Sequence, residues 1–137
     1  LYRSLLAALG NRLRESLLLC RDAGDRRPTV RSVEWLGETV AARHLGSSMP
    51  TVIQATRLLG AAEAIREQIS NPLYPAERPP FDEAVAAARA ELGDEPYDLA
   101  FAEGRTLTID QAVETALALA DQILAADEEL ATADLLI

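Results

Sequence analysis

Residues 29–70 limit the possible folds most strongly, because they carry two helical stripes of apolar residues separated by a Gly-Ser loop. The first segment, about 29–45, has apolar or aromatic-ring positions at helical spacing: Val30, Val33, Leu36, Val40 and His44. The second segment, about 50–70, has Val52, Ala55, Leu59, Ala62 and Ile69. A helical hairpin of this size leaves apolar surface that it cannot cover alone. The flanking segments are therefore predicted to pack against it.

The flanking segments are predicted to be helical as well. Residues 2–23 carry the stripe Leu6, Leu9, Leu13, Leu17 and Cys20, and Gly24 is suited to a left-handed helix cap. Residues 71–80 hold four of the seven prolines, which predicts an extended connector. Three more helices are predicted at 81–92, 94–102 and 109–126, and the last begins with a Thr108–Gln111 capping box. An acidic tail at 127–137 either extends the last helix or frays.

Composition narrows the class of protein. Hydrophobic residues make up 49% of 137 residues, which excludes a disordered chain and suits a single domain. Ala and Leu predominate, and both favour helices. The sequence lacks an uncharged apolar run of about 18 residues, so a membrane span is not expected. The single Cys20 suits a cytoplasmic protein.

Charge is distributed unevenly along the chain. Residues 1–57 carry nine Arg and five acidic residues, a net charge of +4, whereas residues 58–137 carry four Arg and seventeen acidic residues, a net charge of −13. The acidic half argues against direct contact with nucleic-acid phosphates. All cations are Arg, and the missing Lys excludes a phosphate-binding P-loop.

The helical pattern resembles a divergent tetratricopeptide repeat. Leu13, Leu17 and Cys20 have the spacing of Ala55, Leu59 and Ala62, at an offset of about 42 residues, longer than the usual ~34. Leu36 and Gly37 also match the Leu-Gly pair of the repeat signature. The fold predicted is all-α: an antiparallel stack of helical hairpins (1–70), joined by the connector (71–80) to a C-terminal helical cap (81–126), in one structural domain.

A second resemblance involves the run E-G-R-T-L-T-I-D-Q-A-V at 103–113 together with R-L-L-G-A-A-E-A-I-R-E at 57–67. These runs resemble the C-terminal end of the helical-repeat region of large bacterial signalling ATPases, such as LuxR-type and adenylate-cyclase-linked regulators. The resemblance implies a fragment or remnant of a regulator, without the ATPase or DNA-binding parts. It implies an interaction module whose partner is a protein, a peptide or another domain of a longer parent chain.

The sequence gives no indication of catalysis, a cofactor or a metal site. Cys20 lies on an apolar stripe and is expected in the core. His44 lacks a partner at helical spacing, and its position in a last helical turn suits a structural role. The carboxylates of Asp127, Glu128, Glu129 and Asp134 lack the glycine turn of a calcium loop and are expected to be solvated. An enzyme is therefore the least favoured class.

The candidate partner-binding residues are Arg31, Glu34, Trp35 and Glu38. If Val33, Leu36 and Val40 face neighbouring helices, these four residues line the concave surface, with Trp35 as the binding hot spot. The alternative is that Trp35 packs under the 46–50 loop or against the N-terminal helix. An alternative function is a ligand-binding sensor with a pocket between hairpin and cap.

Two further expectations concern packing. The N-terminal helix is expected to expose an apolar face and to mediate homodimers. Phe81, Tyr97, Phe101 and Tyr74 are expected to anchor the cap.

Overall fold

A computed structural model describes the backbone of residues 2–43 and 48–136 and the side chains of 11–12, 14–43 and 48–125, and the regular secondary structure in these ranges is helical. The six helices are α1 (Tyr2–Ala23), α2 (Arg26–Arg43), α3 (Met49–Gln68), α4 (Arg78–Leu92), α5 (Asp94–Arg105) and α6 (Ile109–Leu136). Those ranges contain no strand. The prediction of an all-α fold is confirmed.

Most helix boundaries follow from the signals in the sequence. Gly24 adopts φ 74° after α1, the left-handed cap that was predicted. The Ser48 side chain accepts a hydrogen bond from the Thr51 amide at 3.4 Å and so caps α3. The Thr108 amide donates to Gln111 Oε1 at 2.9 Å, and the Gln111 amide donates to Thr108 Oγ1 at 3.1 Å. These two bonds confirm the predicted capping box.

Four boundaries differ from prediction by three residues or more, among them the end of α5, which continues through Gly104 to Arg105. Helix α2 begins at Arg26, before Pro28, because proline is tolerated in the first turn, where its missing amide has no helical acceptor. Helix α4 likewise begins at Arg78 and includes three residues that the sequence assigned to the connector, Arg78, Pro79 and Pro80. Helix α6 continues to Leu136, so the predicted acidic tail is helical.

The α2–α3 hairpin is central, as the sequence indicated. Helices α1 and α6 pack together on one side of it, and α4 and α5 pack on another. Helix α6 runs antiparallel to α1. Arg14 Nη2 of α1 lies 2.7 Å from Asp121 Oδ2 of α6, and Cys20 near the end of α1 lies beside Ile109 at the start of α6. The three C-terminal helices therefore do not all lie at one end of the helical stack, because α6 packs beside α1. Its packing covers part of the α1 surface that was expected to be free, and self-association through α1 stays a prediction.

The core contains most of the predicted stripes. Four of the hairpin's first-segment residues are fully or almost fully buried: Val30, Val33, Leu36 and Val40. The second segment contributes Val52, Ala55, Leu59 and Ala62. In α1, Leu17 is buried, whereas Cys20 is only half-buried, so the expected core position of the thiol is wrong. His44 and the side chains of Leu6, Leu9 and Leu13 lie outside the described residues.

Helices α3 and α5 make the closest approach, through two glycines. A Cβ atom on Gly60 would overlap the Phe101 carbonyl oxygen, and one on Gly104 would overlap the Arg57 carbonyl oxygen. The two backbones therefore touch at positions where only glycine fits. This crossing holds α5 against the hairpin.

The aromatic residues anchor the fold in part. Phe81 and Tyr97 are buried, and the rings of Tyr97 and Phe101 stack with centroids 5.7 Å apart. Tyr74 is 68% exposed, so its predicted anchoring role is wrong. Within the described part of the chain, none of the helices is long and apolar enough to cross a membrane.

Candidate functional site

A cluster of five charged residues lies between α2, α3 and the connector; we call Arg31, Glu34, Glu38, Arg66 and Glu77 the charge cluster. Arg31 and the first two glutamates lie on α2, Arg66 lies on α3, and Glu77 immediately precedes α4. The side chains of Glu34, Glu38 and Arg66 are 0%, 7% and 7% exposed. Two cations and three carboxylates give the cluster a formal net charge of −1. Buried charges require such partners, because removal from water is costly.

Arg66 and Glu34 form the centre of the charge cluster. Arg66 Nε donates to Glu34 Oε2 at 2.7 Å and Arg66 Nη2 to Glu34 Oε1 at 3.0 Å, a two-pronged pairing that fixes the guanidinium plane. Arg66 Nη1 donates to the carbonyl oxygen of Asn71 at 3.0 Å and so holds the start of the connector. The pair therefore joins both hairpin helices to the following segment.

Arg31 occupies the outer side of the cluster. Its Nη1 lies 2.8 Å from Glu34 Oε1 and 3.4 Å from Glu38 Oε1, and its Nε lies 3.7 Å from Glu77 Oε2. Arg66 Nη2 is also 3.6 Å from that Glu77 oxygen. Both guanidinium groups thus face more than one carboxylate.

Of the two buried carboxylates in the charge cluster, Glu38 is paired less closely than Glu34. Among the described residues, its ion-pair contact is the 3.4 Å approach of Arg31. Burial, followed by the negative charge of Glu34, raises the pKa of Glu38 to about 7, although Arg31 and Arg66 act in the opposite direction. Near pH 7, the protonated and ionised forms of Glu38 are therefore both populated.

A groove of about 380 Å³ opens between α2 and α4, beside Glu38. We call it the α2–α4 groove. The groove is lined by polar and apolar residues of both helices: Arg31, Trp35, Glu38, Thr39, Ala42, Arg43, Pro80 and Glu83. Trp35 is partly buried and packs against the core, and it is the only tryptophan of the chain. The groove combines an indole, a proline and charges of both signs.

The structure brings Arg31, Trp35 and Glu38 together in this groove, although Glu38, which was expected on an open concave surface, is almost completely buried. The predicted outward position of Glu34 is wrong, because its side chain is fully buried against Arg66. The indole shares its groove with the start of α4, which was not among the expected neighbours of Trp35. Partner binding by these residues stays a prediction.

One feature of the sequence indicates that a buried ion pair forms in the charge cluster. Arg66 continues the α3 stripe Ala55, Leu59, Ala62 at the next helical position, and an Arg on a buried stripe requires a carboxylate. Which carboxylate it meets depends on the packing of α2, so periodicity alone does not identify Glu34.

A second cleft, of about 330 Å³, lies where α3, the connector and α4 meet; we call it the connector cleft. Its apolar residues are Pro72, Leu73 and Phe81. Its charged residues are Glu34, Glu63, Arg66, Glu67 and Arg78. This is the region between hairpin and cap in which the alternative, ligand-binding function was expected.

Metal binding has no support among the described side chains, which contain no group of three or more His, Cys, Asp or Glu suited to an ion. The side chains of Asp127, Glu128, Glu129 and Asp134 lie outside them.

Part of the chain is similar to larger regulatory proteins. A stretch of 60 residues is 38% identical to proteins named "Putative HTH-type transcriptional regulator" in Mycobacterium bovis and in two strains of Mycobacterium tuberculosis. The stretch covers 44% of this chain and 7% of each relative. None of the protein-family models matches the chain, and no solved structure matches it.

Proposed function

We propose that this chain is a non-catalytic interaction module of a bacterial transcription-regulatory protein, and that a protein segment docks in the α2–α4 groove. The observation that carries the proposal is the groove itself, which places Trp35 and Pro80 beside charges of both signs. A few residues contribute most of the affinity at protein interfaces, and tryptophan is enriched among them. Surrounding charges select the partner and its orientation.

Two further observations support a regulatory role. The relatives that share 38% identity over 60 residues are named as transcriptional regulators of the HTH type. The matched stretch is only 7% of their length, so their DNA-binding parts are not assigned to this chain. The net charge of −9 also disfavours direct phosphate contact. The resemblance to the helical-repeat region of signalling ATPases agrees with a docking role, and a tetratricopeptide-like stack remains part of this proposal.

A two-hybrid screen with this chain as bait tests the proposal, with genomic fragments of the source organism as prey. Each prey is rescreened against Trp35→Ala and against Leu99→Ala, which removes an exposed leucine from α5. We expect preys that are lost with Trp35→Ala and retained with Leu99→Ala. If every prey treats the two variants alike, the groove is not the docking site.

The connector cleft supports a second candidate, a small-ligand sensor. Its three apolar residues, surrounded by charged residues of both signs, suit a small apolar molecule with a polar group. Native mass spectrometry of the purified protein, compared with Leu73→Trp, tests this role. A ligand mass that is bound to the wild type and absent from the variant supports this role. Spectra that show no ligand on either protein contradict it.

A further inference from the structure

We propose that the α2–α4 groove recognises a cationic side chain, an arginine of the partner segment, which pairs with the carboxylates of Glu38 and Glu83 beside Trp35. This inference rests on the proposed function and names the chemistry of its partner. It is carried by the position of Glu38, a carboxylate that is almost completely buried and yet lines the groove.

Within the described part of the chain, Glu38 has unused capacity to accept hydrogen bonds. An ionised carboxylate has two oxygens and about four acceptor positions. Among the described side chains, Glu38 receives one long contact, from Arg31 at 3.4 Å, while Arg31 is held more closely by Glu34 at 2.8 Å. A guanidinium that entered the groove would donate hydrogen bonds to the acceptor positions of Glu38 that Arg31 leaves free.

The charges around Glu38 favour a cation over an anion. Arg31 and Glu34 lie on the same helix, Arg66 faces it from α3, and Glu77 lies at the end of the connector. These residues and Glu38 have a net charge of −1, and Glu83 of α4 adds a further negative charge to the groove. Arg43 balances one of these charges at the end of α2.

Two further properties of the site agree with an arginine ligand. Among aromatic side chains, the indole of tryptophan attracts cations most strongly, and Trp35 places an indole in the groove. The pKa of Glu38, raised to about 7 mainly by burial, indicates a carboxylate whose charge is poorly compensated. A bound cation would lower that pKa, so binding near pH 7 would release a proton.

Binding of octa-arginine to the intact chain tests the proposal, with the fluorescence of the sole tryptophan as readout and octa-citrulline as the neutral control. We expect Glu38→Gln to weaken binding at least about tenfold, because a charge-assisted hydrogen bond is lost. Glu91→Gln, which removes the same charge from an exposed position of α4, is expected to leave binding unchanged. Circular dichroism of each variant confirms that it is folded.

The pH dependence gives an independent readout. With the pKa of free Glu38 at about 7, affinity for octa-arginine should fall about tenfold from pH 8 to pH 6 in the wild type. It should stay nearly constant in Glu38→Gln.

Equal losses in Glu38→Gln and Glu91→Gln would overturn the proposal, since binding would then be general attraction to an acidic protein. Equal binding of octa-citrulline would also overturn it. If two-hybrid partners depend on Trp35 but octa-arginine fails these tests, the docking function stands and the arginine-specific chemistry is wrong.

Discussion

Replacing Arg66 by methionine is the perturbation for which the structure predicts the largest loss of stability. The change removes both hydrogen bonds to Glu34, at 2.7 and 3.0 Å, and the bond to the Asn71 carbonyl oxygen. Glu34 is fully buried and, among the described residues, would keep Arg31 as its one cationic partner. Breaking a buried ion pair from one side costs about 3–5 kcal/mol. At about 3–5 °C per kcal/mol for a domain of this size, the midpoint of thermal unfolding should fall by at least about 10 °C.

Urea unfolding followed by circular dichroism measures this loss, and Arg14→Met provides the matched control. Arg14 also pairs with one carboxylate, Asp121, at 2.6 Å, but both side chains are about half exposed. Exposed pairs contribute at most about 1 kcal/mol, so the control should lose less than that.

A double variant separates the cost of an unpaired charge from the loss of packing. Glu34→Leu combined with Arg66→Met removes both charges and should be more stable than Arg66→Met alone, because no buried carboxylate lacks its partner. If Arg66→Met loses less than about 1 kcal/mol of unfolding free energy, the pair of Arg66 and Glu34 does not hold the hairpin to the connector.

Three further outcomes are expected. Gly104→Ala should destabilise the fold by about 2 kcal/mol or more in urea unfolding, because its methyl group meets the Arg57 carbonyl oxygen; Ala102→Ser, an exposed change on the same helix, should be neutral. Thr108→Ala should cost about 1 kcal/mol in the same assay through loss of the capping box, and an unchanged midpoint would contradict that role. The folded pKa of Glu38, about 7, exceeds its unfolded value of 4.5, so its neutral form favours the fold and stability is lost as pH rises from 4.5 through 7. Glu38→Gln should therefore gain stability relative to wild type between pH 5 and pH 8, and a pH-independent difference would exclude this effect.

The helices and most of the core follow from the sequence because they depend on local spacing. The stripes through Val33 and Leu59 are buried as predicted, since residues on one face of an amphipathic helix avoid water together. The Thr108–Gln111 box formed for the same reason, because both partners lie within one helical turn. Local signals thus determined where most helices begin and which face they bury.

The charge cluster could not be predicted from the sequence, because helices on more than one side of α2 bury its side chains. Packing of α3 and α4 covers Glu34 and Glu38, which helical periodicity assigned to the open face. The pair Glu34–Arg66 joins residues 32 positions apart, and the return of α6 to α1 joins residues 107 apart. Contacts at such separations depend on tertiary packing that local spacing does not encode.

Site-specific photocrosslinking in cells of the source organism tests the central claim most directly. A photoreactive amino acid replaces Thr39 in the α2–α4 groove, and the matched variant carries it at Leu99 on the exposed face of α5. We expect a discrete crosslinked protein species from position 39 that is absent from position 99. A species from position 99 alone, or the same species from both positions, would contradict docking in the groove.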